Sequence, residues 1–238
     1  LEPVGIHSHI GSQITDIKPV IEAAKIVANL TRELKAAQID IKFFDVGGGI
    51  GIVYGDESEP DLYEYAQGIL ANLSGLDVTV VCEPGRFIVG NAGYFLTSVL
   101  YEKFNKEKRF VVVDGAMNDL IRPSLYQARH KIFALSGGKT LCECKKEQLE
   151  ELKFTPCDVV GPICESGDFL AKDRNLPLLN PGDLVVIKSA GAYCFAMSSN
   201  YNTRGRAAEV AVKGGEDFLI RRRESFEDIV ALEREFLG

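Results

Sequence analysis

In the first part of this chain, the residues best suited to chemistry fall in three short groups. His7-Ser8-His9 sets two imidazoles two residues apart, Gly47-Gly48-Gly49 follows an apolar run, and Glu83-Pro84-Gly85-Arg86 places an acid and a base in one turn. Residues two apart on a strand share a face, so His7 and His9 could ligate a metal. Further ligands are scarce, because His130 is the one other histidine and the Cys142–Cys144 pair lacks a second close pair. The expectation is no metal. In the rival use of the histidines, one ring packs on a flat aromatic ligand and the other is structural. Three bare glycines offer backbone N–H groups that can close on an oxyanion, so the turn reads as a phosphate seat, with a tight loop that binds nothing as the bland alternative. Glu83, expected at depth, calls for a cation or a protonated ring nitrogen beside it. Arg86 could be that cation, or a fixed charge facing a phosphate or carboxylate.

The second part carries Asp114 to Asp119 followed by Arg122 and Tyr126, then Gly161 to Asp168, then Gly191 to Tyr193 and Ser198 to Asn202. A loop holding Cys164, Glu165 and Asp168 between glycines has no packing motive and reads as catalytic.

These groups need elements to position them. Val4 to Gln13 reads as a short strand entering a polar turn, followed by a helix capped at Thr15 or Asp16, with Pro19 in its first turn and apolar residues from Ile17 to Leu34 at helical spacing. Ile41–Val46 and Val78–Cys82 read as strands, and Asp61–Leu73 as a helix between them. Buried-looking strands alternating with helices imply parallel βα units, which deliver their unusual residues at the C-terminal strand ends. After Gly93 the pattern changes to β-type runs, Tyr94–Leu100, Phe110–Asp114, Cys157–Val160 and Leu184–Lys188, separated by Gly, Pro and charged turns. The expected fold class is α/β plus all-β. It comprises the C-terminal part of a (β/α)8 barrel over residues 1–92, an antiparallel β-barrel or sandwich over 93–222, and a terminal helix over 223–238, opened by a Ser225–Asp228 capping box.

Composition narrows the function classes. With 238 residues, 46% of them apolar, the chain can bury a substantial core. A net charge of −7 argues against nucleic acid or anionic lipid as partner, since both need a basic surface. The basic run Arg221-Arg222-Arg223 is followed by Glu224, Glu227 and Asp228 and reads as a solvated face. No apolar stretch approaches the roughly 20 residues of a membrane span. With no leader-like opening either, the expected setting is cytoplasmic, and six scattered cysteines suggest reduced thiols.

Taken in order and spacing, His9-Ile10-Gly11-Ser12-Gln13, Gly47-Gly48-Gly49, Glu83-Pro84-Gly85-Arg86, Arg122 with Tyr126, Cys164-Glu165 and Tyr193 resemble the diaminopimelate decarboxylase family, pyridoxal-phosphate enzymes of the alanine-racemase-like barrel type. The resemblance covers nearly the whole chain. It implies pyridoxal 5'-phosphate as cofactor, with His9 stacked on its ring, Ser12, Gly47, Gly48, Gly49, the backbone around Pro84 and Gly85, and Tyr193 holding its phosphate, and Glu83 keeping its ring nitrogen protonated. Cys164 would reprotonate the carbon that loses CO2, reaching the cofactor from the partner subunit of a homodimer.

Diaminopimelate carries both an amine and a carboxylate at its distal end, so its pocket needs an anion partner and a cation partner. Glu165 and Arg122 could supply the two, with Tyr126, Arg86 and Tyr193 adding contacts. This favours diaminopimelate over ornithine or arginine. The alternatives are a related basic-amino-acid or polyamine-pathway decarboxylase, and a decarboxylase-like binding protein without catalysis. The lysine that bonds the cofactor is expected upstream of residue 1, since Lys18 and Lys25 fall on the helix after the His9 strand; these 238 residues alone are expected to be an inactive fragment.

Overall fold

Strand β1 (Gly5–His7) leads to helix α1 (Lys18–Ala36), β2 (Phe43–Asp45) to α2 (Leu62–Asn72), and β3 (Thr79–Val81) to the short α3 (Gly85–Val89). This is a computed structural model, and it describes residues 1–106, 108–143 and 145–237; Cys144, named above with Cys142, lies outside the described residues. The elements from β1 to α3 make up a first unit, Leu1–Ala92. Its sheet is parallel in the order β1-β2-β3, with His7, Asp45 and Val81 in register at the C-terminal ends.

α1 forms because Val20, Ala24 and Ala28 recur at helical spacing and bury against Phe44 and Ile69. Its expected side-chain cap is not made. The cap position is Ile17, and Asp16 accepts instead from the Lys18 N–H at 3.1 Å. α2 does have its cap: the Asp61 carboxylate accepts from the N–H groups of Tyr63 and Glu64, a contact worth about 1 kcal/mol. The two helices touch at Gly68, where a Cβ would stand 2.4 Å from Ile21 Cδ1.

The second unit is Gly93–Gly238. In chain order it holds β4 (Phe95–Asn105), β5 (Lys108–Val113), α4 (Arg122–Tyr126), β6 (Ile132–Ser136), β7 (Lys139–Leu141), α5 (Lys146–Glu151), β8 (Thr155–Val160), β9 (Phe169–Leu176), β10 (Leu184–Ile187), β11 (Glu209–Lys213), β12 (Glu216–Arg221), α6 (Phe226–Ile229) and α7 (Arg234–Leu237). Seven strands form one sheet in the order β7-β6-β10-β4-β5-β8-β9. An antiparallel sheet was expected. The sheet is mixed, because β5 and β8 pair in parallel. The long connection through α4, β6, β7 and α5 brings the chain back in its original direction, which a hairpin cannot do.

Val99, Val111, Val113, Val159, Val185 and Ile187 form the core of this sheet. Within it, Arg109 is ion-paired to Glu102 and donates to Thr155 Oγ1 and Leu176 O, both at 2.8 Å, so one guanidinium ties β4, β5, β8 and β9. β11 and β12 form a separate hairpin around Gly214 and Gly215, whose φ values of 63° and 86° suit a tight two-residue turn. The expected terminal helix is two short ones, α6 with the Ser225–Asp228 capping box and then α7. Among the described residues, no helix is long and apolar enough to cross a membrane.

Candidate functional site

The parallel strands of the first unit end side by side, and the loops that leave them carry its functional side chains. The glycine turn lies between the other two loops in backbone contact. A Cβ on Gly47 would stand 2.4 Å from Ser8 O, one on Gly48 2.2 Å from Glu83 O, and one on Gly49 2.2 Å from Gly11 O. Gly47 and Gly49 also hold φ of 71° and 96°, where side chains are strained.

The N–H groups expected to be bare are partly used. Gly47 N donates to Asp45 Oδ1 at 2.8 Å and Gly48 N to His9 Nδ1 at 3.2 Å, which leaves the Gly49 N–H without a partner among the described residues. His7 and His9 do not act as a pair on one strand. β1 ends at His7, and His9 lies in the following loop with its ring fixed by Gly48. His7 Nε2 instead meets Glu83 Oε2 at 3.3 Å, and with Asp45 these two form a group of possible ligand atoms within 4.8 Å of one another.

Glu83 was expected at depth. Its side chain is 55% exposed, so water already solvates it and burial imposes no need for a partner. Nor does Arg86 take the role of its counter-ion. The guanidinium of Arg86 donates to Tyr54 OH at 2.6 Å and to Ser12 Oγ at 3.0 Å, gathering Ser12, Arg86 and Tyr54 into one polar cluster. Tyr54 was missed by sequence reasoning. It lies in a loop, and an isolated tyrosine carries no spacing signal. Pro84 and Gly85 open α3, with Pro84 in the cap position.

In the second unit, the loop between β8 and β9 is locked from inside. The Asp168 carboxylate accepts from Ile163 N at 2.6 Å and from Met117 N at 2.8 Å, while Glu165 Oε1 accepts from Gly167 N at 3.2 Å. Burial pushes the Asp168 carboxyl above the usual carboxylate range, and the two backbone N–H groups pull it back in part. Cys164 stands exposed on this loop. Ser124 Oγ donates to Gly167 O, so α4 is tied to the same loop and Arg122, Tyr126, Cys164 and Glu165 share one region of the unit. Tyr201 OH reaches Glu165 Oε2 at 3.4 Å.

Arg122 is buried, and its Nη1 lies 2.9 Å from His130 Nε2. Tyr126 is exposed at the other end of α4. Tyr193 is exposed with a left-handed φ of 58°. Next to it, Cys194 is buried, donates to Asp119 O at 3.3 Å, and has its thiol pushed up to about 12 by that burial. The cavity of about 440 Å³ in this unit is lined by Thr97, Asp114, Asp119, Arg204 and Arg223 among others, and by none of the side chains singled out above for substrate or cofactor.

Comparison with known proteins adds an independent finding. Residues 15–191 match the family described as pyridoxal-dependent decarboxylase, C-terminal sheet domain. The chain is 61% identical over 238 residues to a diaminopimelate decarboxylase of Campylobacter jejuni, covering 100% of this chain and 56% of that protein. It is 50% identical over 237 residues to that of Helicobacter pylori, again covering 100% and 56%. A crystal structure of the Helicobacter pylori diaminopimelate decarboxylase complexed with L-lysine superposes with a TM-score of 0.88 at 50% identity, over 99% of this chain and 56% of that one. The chain thus spans a little over half the length of the relatives it matches.

Proposed function

The chain belongs to the pyridoxal-dependent decarboxylases, and from that premise we propose that it is the part of a diaminopimelate decarboxylase that seats the cofactor phosphate and reads the distal end of the substrate. The reaction is removal of one carboxyl of meso-diaminopimelate, giving L-lysine and CO2. The observation that carries this reading is the 61% identity to the Campylobacter jejuni enzyme across all 238 residues. The three parallel βα units are the closing part of a (β/α)8 barrel, and the active protein is a cytoplasmic homodimer.

The residues present fit pyridoxal phosphate. The Gly49 N–H lacks a partner among the described residues, and Ser12 with Arg86 presents a hydroxyl and a cation to an anion. Bound there, the cofactor supplies an electron sink for the pair left on carbon when CO2 departs. Ser12, Gly49 and Arg86 would hold the phosphate. His9, its ring held by the Gly48 N–H, would pack on the pyridine. Glu83 would hold a proton at the ring nitrogen, with His7 at 3.3 Å orienting that carboxylate. Cys164, kept exposed on a loop that Asp168 locks, delivers a proton to the carbon that has lost CO2, and does so in the partner subunit's site.

Arg122 and Glu165, linked through Ser124 and Gly167, receive the distal carboxylate and the distal amine. A pocket built for both groups leaves a charge unpaired when either is missing, which penalises ornithine and lysine as substrates. The test is steady-state kinetics on a polypeptide of full family length that carries this chain. Arg122→Ala is expected to raise KM for diaminopimelate at least about tenfold, the low end for a lost charge-assisted contact. An unchanged KM removes Arg122 from the substrate site, and a preference for ornithine over diaminopimelate in the unmodified protein overturns the substrate assignment.

A further inference from the structure

We propose that a second cavity of the Gly93–Gly238 unit, beside α4, is a binding site for a small, doubly charged oxyanion, held by Arg174, Arg129 and Lys172. None of the residues assigned above to cofactor or substrate lines it, and its volume is about 280 Å³. Sites for drug-sized ligands run to roughly 300–1,000 Å³, so the occupant here is small.

Two segments build the cavity. α4 closes at Gln127 in a left-handed conformation, and the chain from there to Arg129 forms one wall with Pro123 of the helix. β9 supplies the other wall with Lys172, Asp173 and Arg174. In a regular strand these three would alternate between faces. β9 instead shifts register between Ala171 and Arg174, and Asp173 takes a φ of 50°, an irregularity that re-aims side chains.

The cavity is cationic in a chain whose net charge is −7, with three cations and one acid among its lining residues. Among the described residues, the Arg174 guanidinium makes one hydrogen bond, Nη2 donating to His130 O at 3.1 Å, and its buried Nε has no acceptor. A guanidinium carries five N–H donors, so most of its capacity is left over. Burial lowers the Arg174 pKa from its usual value, and the charge of Arg129 lowers it further. No carboxylate among the described residues pairs with either arginine. Asp173 contributes instead to holding the charge of Lys108, after that residue's main partner Asp158. Lys172 Nζ stays at the same wall, 3.8 Å from the centre of the Phe169 ring.

A water molecule in the cavity could accept from Arg174 Nε, but it would leave the repulsion between the two guanidinium groups in place. An oxyanion answers both needs, because its oxygens accept from the N–H groups while its charge offsets the repulsion. Occupancy would also brace the return from α4 to β6, since Arg129 and the His130 carbonyl both belong to that connection.

The test uses the full-length holoenzyme, whose own phosphate seat the cofactor fills. Calorimetric titration with inorganic phosphate reads the site without turnover, so the outcome stands whatever becomes of the substrate assignment. Phosphate should bind saturably and raise the thermal midpoint, and that rise should be lost in Arg129→Gln, which separates site binding from the general salting effect of phosphate. Arg129→Gln and Arg174→Lys, the second keeping the charge but not the planar fork, should each weaken phosphate at least about tenfold, the low end for hydrogen bonds to a charged group. Arg129 is exposed, so Arg129→Gln decides the case if Arg174→Lys does not fold. Saturable binding of succinate in place of phosphate supports the site with a dicarboxylate as occupant, and saturation with neither overturns it. Equal phosphate affinity in the parent and Arg129→Gln also overturns the proposal. So does a phosphate response that Arg122→Ala abolishes and Arg129→Gln leaves intact, which would place the anion in the substrate region.

Discussion

Gly48→Ala is the sharpest test of the cofactor loop, because a single methyl group meets a backbone atom that cannot rotate away. The added Cβ would lie 2.2 Å from Glu83 O, and real Cβ contacts essentially never fall under 3.0 Å. The glycine turn and the Glu83 turn must therefore part by about 1 Å, a displacement on the scale that upsets a bound geometry. One hydrogen bond joins the two turns directly, Glu83 N to Gly47 O at 2.9 Å, and it stretches when they separate, while Gly48 N to His9 Nδ1 at 3.2 Å holds the glycine turn to the loop after β1. Overpacking of this kind costs about 1–3 kcal/mol. That cost divides between stability of the free protein and cofactor affinity, so the two losses together should reach it; carried by affinity alone it is about 5- to 150-fold. The assay is a pyridoxal phosphate titration of the full-length protein beside denaturant unfolding of the same variant. Gly55→Ala is the control, since its Cβ would meet nothing nearer than Glu57 Oε2 at 3.5 Å. If Gly48→Ala binds cofactor and unfolds like the parent, the loops do not sit as described and the steric reasoning is wrong.

Arg109→Met should destabilise the protein by about 3–5 kcal/mol in urea unfolding, because Glu102 is left buried without its partner; replacing both residues with apolar ones should recover much of that loss. Asp168 makes stability depend on pH with a definite sign. Its folded-state pKa is raised, mainly by burial, so its contribution is fully present below the ordinary 3.8 and is lost as pH rises through the folded value. Unfolding measured across that window should fall less steeply in Asp168→Asn than in the parent, and equal slopes would refute the assignment. Cys164→Ala should lower kcat by about 100-fold or more, as loss of a general acid does, with KM for diaminopimelate little changed; a KM effect alone would make Cys164 a binding group.

Much of the first unit was legible because parallel strands bring their C-terminal ends to one place, so His9, Gly47 and Glu83 could be grouped from the sequence. What escaped was how each loop uses its polar groups. Nothing in a glycine triplet says that two of its N–H groups are taken by Asp45 and His9, and nothing in Glu83-Pro84-Gly85-Arg86 says that Arg86 reaches Ser12 and Tyr54. In the second unit, an alternating pattern marks a strand but not its partner, which is why the parallel pairing of β5 with β8 was unreadable. β9 was missed because Lys172-Asp173-Arg174 interrupts its apolar run, at a register shift where Asp173 takes a φ of 50°. β11 and β12 present exposed apolar residues without alternation, so they gave no half-buried signature.

The glycines alone cannot tell a binding loop from an empty one. Close approach to Ser8 O, Glu83 O and Gly11 O already requires Gly47, Gly48 and Gly49, whatever the loop holds. The informative residues are those the fold does not need. Glu83 is largely solvated, and neither it, Ser12 nor His9 belongs to the apolar core of the first unit. Packing gives no reason for an acid after β3 and a hydroxyl and an imidazole after β1 to flank the glycine turn, whereas a ligand with a basic ring nitrogen and a phosphate gives a reason for each. Asp168 is buried at a cost that its two backbone hydrogen bonds only partly offset, and what that cost maintains is a rigid loop with Cys164 facing solvent.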